Sequence, residues 1–210
     1  TFFKKHPKWI VGYSDVTVLH SHLHKMGFES LHAPMPIDVE KQSDEAIRCL
    51  KKSLFGEAST IQYESRDSLS RPGIAVGQLV GGNLSILYSL CGSASAIDTK
   101  GKILFIEDLD EYLYHIDRMI QNLKRNGYFE ELSGMIIGGM NDMRDNTKAF
   151  GFKTDNPFGK TAKEIISEAV AEYDFPVCFD FPAGHTSDNR VLILGRKVRL
   201  EVKDKVTLMF

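Results

Sequence analysis

Apolar residues recur along this chain in two manners, as short unbroken runs and at three-to-four-residue spacing, and their alternation predicts an α/β layering. The run Trp9-Ile10-Val11 stops at Gly12, and beyond Ser14 the residues Val16, Leu19, Leu23 and Met26 fall at helical spacing up to Gly27. A second helix is predicted over Ser43 to Leu54, with Ala46, Ile47 and Leu50 facing inward and Gly56 as its stop. Ile61-Gln62-Tyr63 reads as a short strand. The stretch GIAVGQLVGGNLSILYSL reads as a strand, a glycine turn and a short buried helix from about Asn83. KILFIED (102–108) is a buried strand, and Leu113, Ile116, Met119, Ile120 and Leu123 form one helical face ending at Gly127. MII (135–137) is a further strand, and residues 159–172 a further helix. The tail alternates at period two with turns at Gly195 and Asp204, the mark of antiparallel β-structure.

Between these elements the polar residues Glu64 to Pro72 read as a linker. Pro72 to Ile97 carries no charge and no histidine, but its glycines, Gln78, Asn83 and Ser85 do not make an apolar membrane span. The opening TFFKKHP does not read as a signal peptide. Without an initiator methionine, the chain is expected to be a piece of something longer or a processed product.

Composition narrows the function classes. The 210 residues carry a formal net charge of -2, so no basic stripe invites a phosphate backbone, and nucleic acid is excluded as a partner. Cys49, Cys91 and Cys178 are odd in number and lack metal-binding spacing, which points to buried small side chains in a reducing cytoplasm.

The candidate chemistry begins at Gly12-Tyr13-Ser14-Asp15-Val16, which holds half of a G-x-S-x-G nucleophile elbow. Locally, Ser14 serves equally as a helix cap, since either role places a hydroxyl among free N–H groups at a helix start. His20, His22 and His24 are expected on a solvated helix face, and no H-E-x-x-H metal motif accompanies them. His32, in LHAPMP, is either a site residue or a core hydrogen bonder. His185 lies in FPAGHTSDN after the apolar run Val177-Cys178-Phe179, a loop at a strand end. Glu107 ends the run Ile103-Leu104-Phe105-Ile106. Its neighbours Asp108, Asp110 and Glu111 could join it on a cation, but a strand sends successive side chains to opposite faces. Three strand ends thus offer Ser14, Glu107 and His185, in the chain order serine, acid, histidine that some hydrolases use. GQLVGGNLS lacks the Lys-Ser/Thr ending of a phosphate loop.

The stretches IVGYSDVT, LHAPM, GQLVGGNLS, GKILFIEDLDE, YHIDRM and AGHTSDN together resemble, in this order, the serine LD-carboxypeptidases of murein recycling and their relatives, the microcin C7 immunity peptidases. The resemblance spans the whole chain. It implies a Ser14-Glu107-His185 triad, with the backbone N–H of Asp15 as an oxyanion donor and no metal or cofactor. It implies a partial flavodoxin-like α/β domain over residues 1–64 carrying the nucleophile, a linker at 65–73, and a C-terminal α/β domain rich in β-structure over 74–210 carrying acid and base. A homodimer in the cytoplasm is implied as well. The substrate would be a murein tetrapeptide cleaved at its LD bond to D-alanine, or a microcin-type peptide-nucleotide. Asn141, Asp142 and Arg144 are candidates to grip a charged peptide terminus. Family members carry a region before the nucleophile strand with a second oxyanion donor, so this chain alone is expected to be weak or inactive without it. Two other readings compete: a non-catalytic murein-peptide-binding domain with Ser14 as a cap, and a simple esterase of the α/β-hydrolase kind.

Overall fold

The computed structural model describes residues 2–57, 60–65 and 67–210; Thr1, Ala58, Ser59 and Arg66, the last in the stretch read as a linker, lie outside the described residues. The architecture is mixed α/β with two sheets, the class the apolar periodicity predicts. A short helix α1 (Phe2–Lys5) leads to β1 (Val11–Gly12), a 3₁₀ turn at Ser14–Val16, α2 (Thr17–Lys25) and β2 (Ser30–His32). Helix α3 (Asp44–Leu54) follows, started by the Ser43 hydroxyl, which accepts the Ala46 N–H at 3.1 Å. Then come β3 (Thr60–Glu64), β4 (Gly73–Asn83), α4 (Leu84–Leu90), β5 (Ile103–Leu109), α5 (Leu113–Arg125) and β6 (Gly134–Asn141). Helix α6 (Ala162–Ala169) opens with a capping box between Thr161 and Glu164. It is followed by β7 (Val177–Cys178), β8 (Leu192–Leu194), β9 (Lys197–Val202) and β10 (Lys205–Met209).

The large sheet has seven strands in the order β3-β10-β9-β4-β5-β6-β7. Its β4-β5-β6-β7 half is parallel, and the other half, through β9, β10 and β3, is antiparallel. The small sheet pairs β1 with β2 in parallel and β2 with β8 antiparallel. Strand β8 thus carries late residues back to the sheet that holds the start of the chain. Strand β3 lies in the large sheet, at the edge beside β10, and not with the residues before it. Its burial alternates, as suits an edge strand with one covered face.

The large sheet separates two apolar clusters, and alternation along β5 feeds both. Leu104 and Ile106 pack with Ile116, Met119, Ile120 and Leu123 of α5 and with Ile165 and Ile166 of α6. Ile103 and Phe105 face the other way, onto Leu31, Ile193, Val206 and Leu208. Continuing that alternation sends Glu107 toward the small sheet and Asp108 toward α4.

Two expectations are corrected, the glycine turn and the buried face of α2. The glycines of GQLVGGN make no turn, because β4 runs unbroken through Asn83. They let strands approach: a Cβ at Gly81 would lie 1.8 Å from the Phe105 carbonyl oxygen, and one at Gly82 would lie 2.5 Å from Thr17 Oγ1. The polar stretch after β3 is tied down, with Arg71 paired to Val177 through the backbone and its guanidinium on the Val170 and Phe175 carbonyls. Helix α2 buries Thr17, His20 and Ser21, while Val18 and Leu19 stay exposed. The reason is the close seat of α2 on β4, where the Asn83 N–H donates to Thr17 Oγ1 at 3.0 Å.

Candidate functional site

The site gathers the ends of strands from both sheets. Ser14 follows β1 with φ of 57°, a left-handed conformation that costs a β-carbon-bearing residue about 1–2 kcal/mol. Its hydroxyl has no hydrogen-bond partner among the described residues, and neither the 3₁₀ turn nor α2 has a side-chain cap. The capping role for Ser14 is therefore absent. What holds the strained turn is the strand end before it. The Gly12 carbonyl accepts the Ala33 N–H at 3.1 Å and the His20 Nε2–H at 2.9 Å. Because a carbonyl only accepts, His20 carries its proton on Nε2, and Nδ1 accepts from Ser30 Oγ at 2.8 Å. Burial pulls this imidazole down to about 4, so it stays neutral. His20 is thus a buried structural histidine and not part of a solvated face; His22 alone of the three is exposed.

Glu107 is fully buried, and its Oε2 accepts two bonds from one residue, the His185 Nδ1–H at 2.7 Å and the His185 backbone N–H at 3.1 Å. Burial pushes the carboxyl up, but His185 and His32 together outweigh it and hold Glu107 down at about 2. For His185 the signs are reversed. Partial burial lowers the imidazole, and Glu107, with Asp108 and Asp38 further off, outweighs burial and raises it above its ordinary 6.5. With the proton on Nδ1, Nε2 is left as a base.

The loop that carries His185 continues from β7 alongside β6 in the same direction. Phe181 N–H donates to the Ile137 carbonyl at 3.0 Å, Gly139 N–H to the Ala183 carbonyl at 3.0 Å, and Gly184 N–H to Asn189 Oδ1 at 2.9 Å. Gly184 has φ of 103°, and a Cβ there would meet Glu107 Oε2 at 2.6 Å, so only glycine lets the loop reach the carboxylate. Tyr13 links this loop to the serine turn: its ring packs edge-on against the His185 ring, centroids 4.7 Å apart, and its hydroxyl donates to Asp38. Asp38 is itself fixed by the Met35 N–H at 2.8 Å. Ser14 and the Glu107–His185 pair are thus brought to one place through Tyr13, without a bond from Ser14 to the imidazole.

The acids of EDLDE part company as the alternation requires. Asp108 accepts from Asn83 Nδ2 at 2.9 Å and from the Ser85 N–H at 3.0 Å at the start of α4, and burial raises it to about 6. Asp110 pairs with Arg144, and Glu111 with His115 Nδ1 at 2.7 Å. Among the described residues, no group of three His, Cys, Asp or Glu side chains is placed to hold a metal ion. Of the residues expected to grip a peptide terminus, Asn141 donates its amide to the His185 carbonyl, Arg144 is half-exposed beside Asp110, and Asp142 is exposed. Asp15, the expected oxyanion donor, is exposed beside Ser14.

The sequence gives no sign of Asp38 or Asn189, whose roles rest on loop geometry. Tyr13 had one signal, its place directly before the serine.

Comparison with known proteins shows the family of the chain. The family described as the LD-carboxypeptidase C-terminal domain matches residues 76–200, and the LD-carboxypeptidase N-terminal domain matches residues 1–33. A probable murein peptide carboxypeptidase of Bacillus subtilis (strain 168) is 32% identical over 100% of this chain. The chain spans 65% of the length of that relative. The crystal structure of muramoyltetrapeptide carboxypeptidase from Oxalobacter formigenes superposes with a TM-score of 0.84 at 26% identity, covering 98% of this chain and 68% of that one. The structure of MccF in complex with glutamyl sulfamoyl guanosine shares the fold, with a TM-score of 0.81 at 23% identity over 99% of this chain and 68% of that one.

Proposed function

Because the chain belongs to the LD-carboxypeptidase family, we propose that it is part of a serine peptidase that hydrolyses the amide bond to the C-terminal D-alanine of murein tetrapeptides. The observation that carries this reading is the buried Glu107–His185 pair, 2.7 Å between Oε2 and Nδ1, set against the strained turn of Ser14 by the Tyr13 ring. The names of the Bacillus subtilis and Oxalobacter formigenes relatives support the substrate class.

In this mechanism Ser14 Oγ attacks the amide carbonyl while His185 Nε2 takes its proton. Glu107 holds the imidazole in the Nδ1–H tautomer and stabilises the imidazolium that forms. The Asp15 backbone N–H donates to the tetrahedral oxyanion, as the residue after a nucleophile commonly does. His185 then returns the proton to the leaving amine of D-alanine, and water repeats the cycle on the acyl-enzyme. The half-exposed Arg144 guanidinium is assigned to the free carboxylate of the substrate; Asp142 stands on the same loop, and Asn141 holds the His185 carbonyl. Residues 1–64 and 74–210 are read as the two domains, joined by 65–73, with β3 pairing into the sheet of the second and β8 into the sheet of the first. A cytoplasmic place in murein recycling agrees with three free cysteines, and a homodimer follows from the family resemblance. Among the described residues, no helix is long and apolar enough to cross a membrane.

The deciding experiment measures D-alanine release from a murein tetrapeptide by the protein and its Ser14→Ala variant. Release lost in the variant supports the reading. No release by the folded whole protein of which this chain is part overturns the murein substrate, and a peptide-nucleotide then tests the other substrate class.

A further inference from the structure

His32 closes β2 in parallel register with Gly12, and its side chain is fully buried. Its ring packs edge-on against Phe105 at 4.8 Å, and Phe105 lies two residues before Glu107 on the same face of β5. Its Nε2 stands 4.0 Å from Glu107 Oε1. Both atoms are buried and without a hydrogen-bond partner among the described residues, as is His32 Nδ1. An unserved buried polar atom costs about 1–3 kcal/mol, and more when it belongs to an ion, so two of them facing each other is an unbalanced arrangement unless they pair.

The other groups around Glu107 are already committed. His185 gives both its donors to Oε2, and Asp108 turns to the opposite face, onto Asn83 and Ser85. Tyr13 donates to Asp38, and His20 uses both nitrogens on Ser30 and Gly12. Among these described residues, His32 alone faces Oε1 with an uncommitted donor, and a closure of about one ångström brings the pair within hydrogen-bond distance.

We propose that His32 is the second hydrogen-bond donor to Glu107, a positioning residue that shares the carboxylate with His185 and sets how strongly that carboxylate supports the base. The proposal rests on the roles assigned to Glu107 and His185 above. A donor on Oε1 fixes the carboxylate plane, so that Oε2 stays aimed at Nδ1. It also draws charge away from Oε2. Without it, His185 faces the full charge and its imidazolium is held more tightly, while the carboxylate is free to turn out of line.

The test compares His32→Leu and His32→Gln; the glutamine amide places an N–H near the position of Nε2–H. Nitrogen-15 NMR of the histidine rings reads tautomers and titrations in the free protein, with no substrate needed. In the wild type, His32 is expected as the Nε2–H tautomer; an Nδ1–H tautomer overturns the proposal even if His32→Leu fails to fold. In folded His32→Leu, the His185 titration is expected to rise by on the order of half to one pH unit. D-alanine release by that variant should show kcat down about tenfold with KM unchanged. His32→Gln should restore both. A folded His32→Leu in which His185 titrates as in the wild type overturns the proposal, and so does a His32→Gln that behaves like the leucine variant. If the whole wild-type protein of which this chain is part releases no D-alanine, the murein-peptidase reading fails by itself, and the ring titrations still decide the role of His32.

Discussion

Glu107 receives the ring Nδ1–H and the backbone N–H of His185 on the same oxygen, so the carboxylate fixes both the tautomer of the imidazole and the position of the loop that carries it. Rotating the ring away costs one bond to a buried charge, and moving the loop costs both. The pair behaves as one rigid element, and the predictions that follow treat it so.

The activity should depend on pH through His185, which must be neutral to act as a base. Because Glu107 raises the imidazole above its ordinary 6.5, kcat/KM is expected to fall on the acid side with a midpoint above that value. In Glu107→Gln the support is lost, so the midpoint moves to lower pH while the rate drops on the order of 10³–10⁴-fold. A pH–rate profile of both proteins checks the two effects together; an unmoved midpoint in the glutamine variant would assign the titration to another group.

Ser14→Gly separates strain from chemistry. The left-handed φ of 57° costs serine about 1–2 kcal/mol, whereas glycine adds about 0.5–1 kcal/mol of chain entropy to lose on folding. The variant is expected to gain up to about 1 kcal/mol in urea unfolding and to have no measurable turnover. Ser14→Ala should keep close to wild-type stability, since the hydroxyl caps nothing; a loss of more than about 1 kcal/mol would restore the capping role.

Asp108 and Glu107 load the pH dependence of stability in opposite directions. Asp108 is raised from 3.8 to about 6, so its contribution is full below 3.8 and is lost as pH rises through 6. Glu107 is lowered from 4.5 to about 2, so its contribution is present above 4.5 and is lost as pH falls through 2. Between pH 4 and 6, therefore, Asp108→Asn should flatten a downward slope of up to about 1.4 kcal/mol per pH unit in the unfolding free energy. Chemical denaturation at three pH values across that window measures it. A wild-type slope that is not reduced in the variant would mean Asp108 ionises normally in the folded state.

Gly184→Ala should act on the chemistry without touching a reacting group. Its Cβ would stand 2.6 Å from Glu107 Oε2 on a backbone with φ of 103°, so either the loop or the carboxylate must move. The expected result is a folded protein with lowered melting temperature and with kcat reduced by at least about tenfold. Full activity would show that the loop can shift without breaking the Glu107–His185 bonds.

Much of this was legible before any coordinates. The run Ile103-Leu104-Phe105-Ile106 announces a strand buried on both faces, and the alternation that splits its apolar residues between two clusters also parts Glu107 from Asp108. The apolar face of α5 is plain for the same reason: Ile116, Met119, Ile120 and Leu123 recur at helical spacing and all are fully buried. Helix α2 misleads, because a helix seated on a glycine-rich strand buries small and polar side chains, and its Val18 and Leu19 point outward. The continuity of β4 through Gly81 and Gly82 is hidden too, since the glycines there answer a need for space set by Phe105 and Thr17, residues distant in the chain. Local pattern registers what a residue does to its own backbone. It does not register what a neighbour across a sheet requires.

Strand β8 has a bearing on the order of events in biosynthesis. Leu194 pairs with Ser30, and Leu192 with His32, so the sheet on which the serine turn is mounted receives its third strand only from near the far end of the chain. Contacts of such sequence separation form late, because a long loop must close before they repay the entropy of closing it. A nascent chain that has not yet reached residue 192 holds Ser14, Tyr13 and Glu107 but neither the strand that completes their support nor, until residue 185, the base. In the proposed mechanism, reactivity at the serine is thereby deferred until β8 has been made.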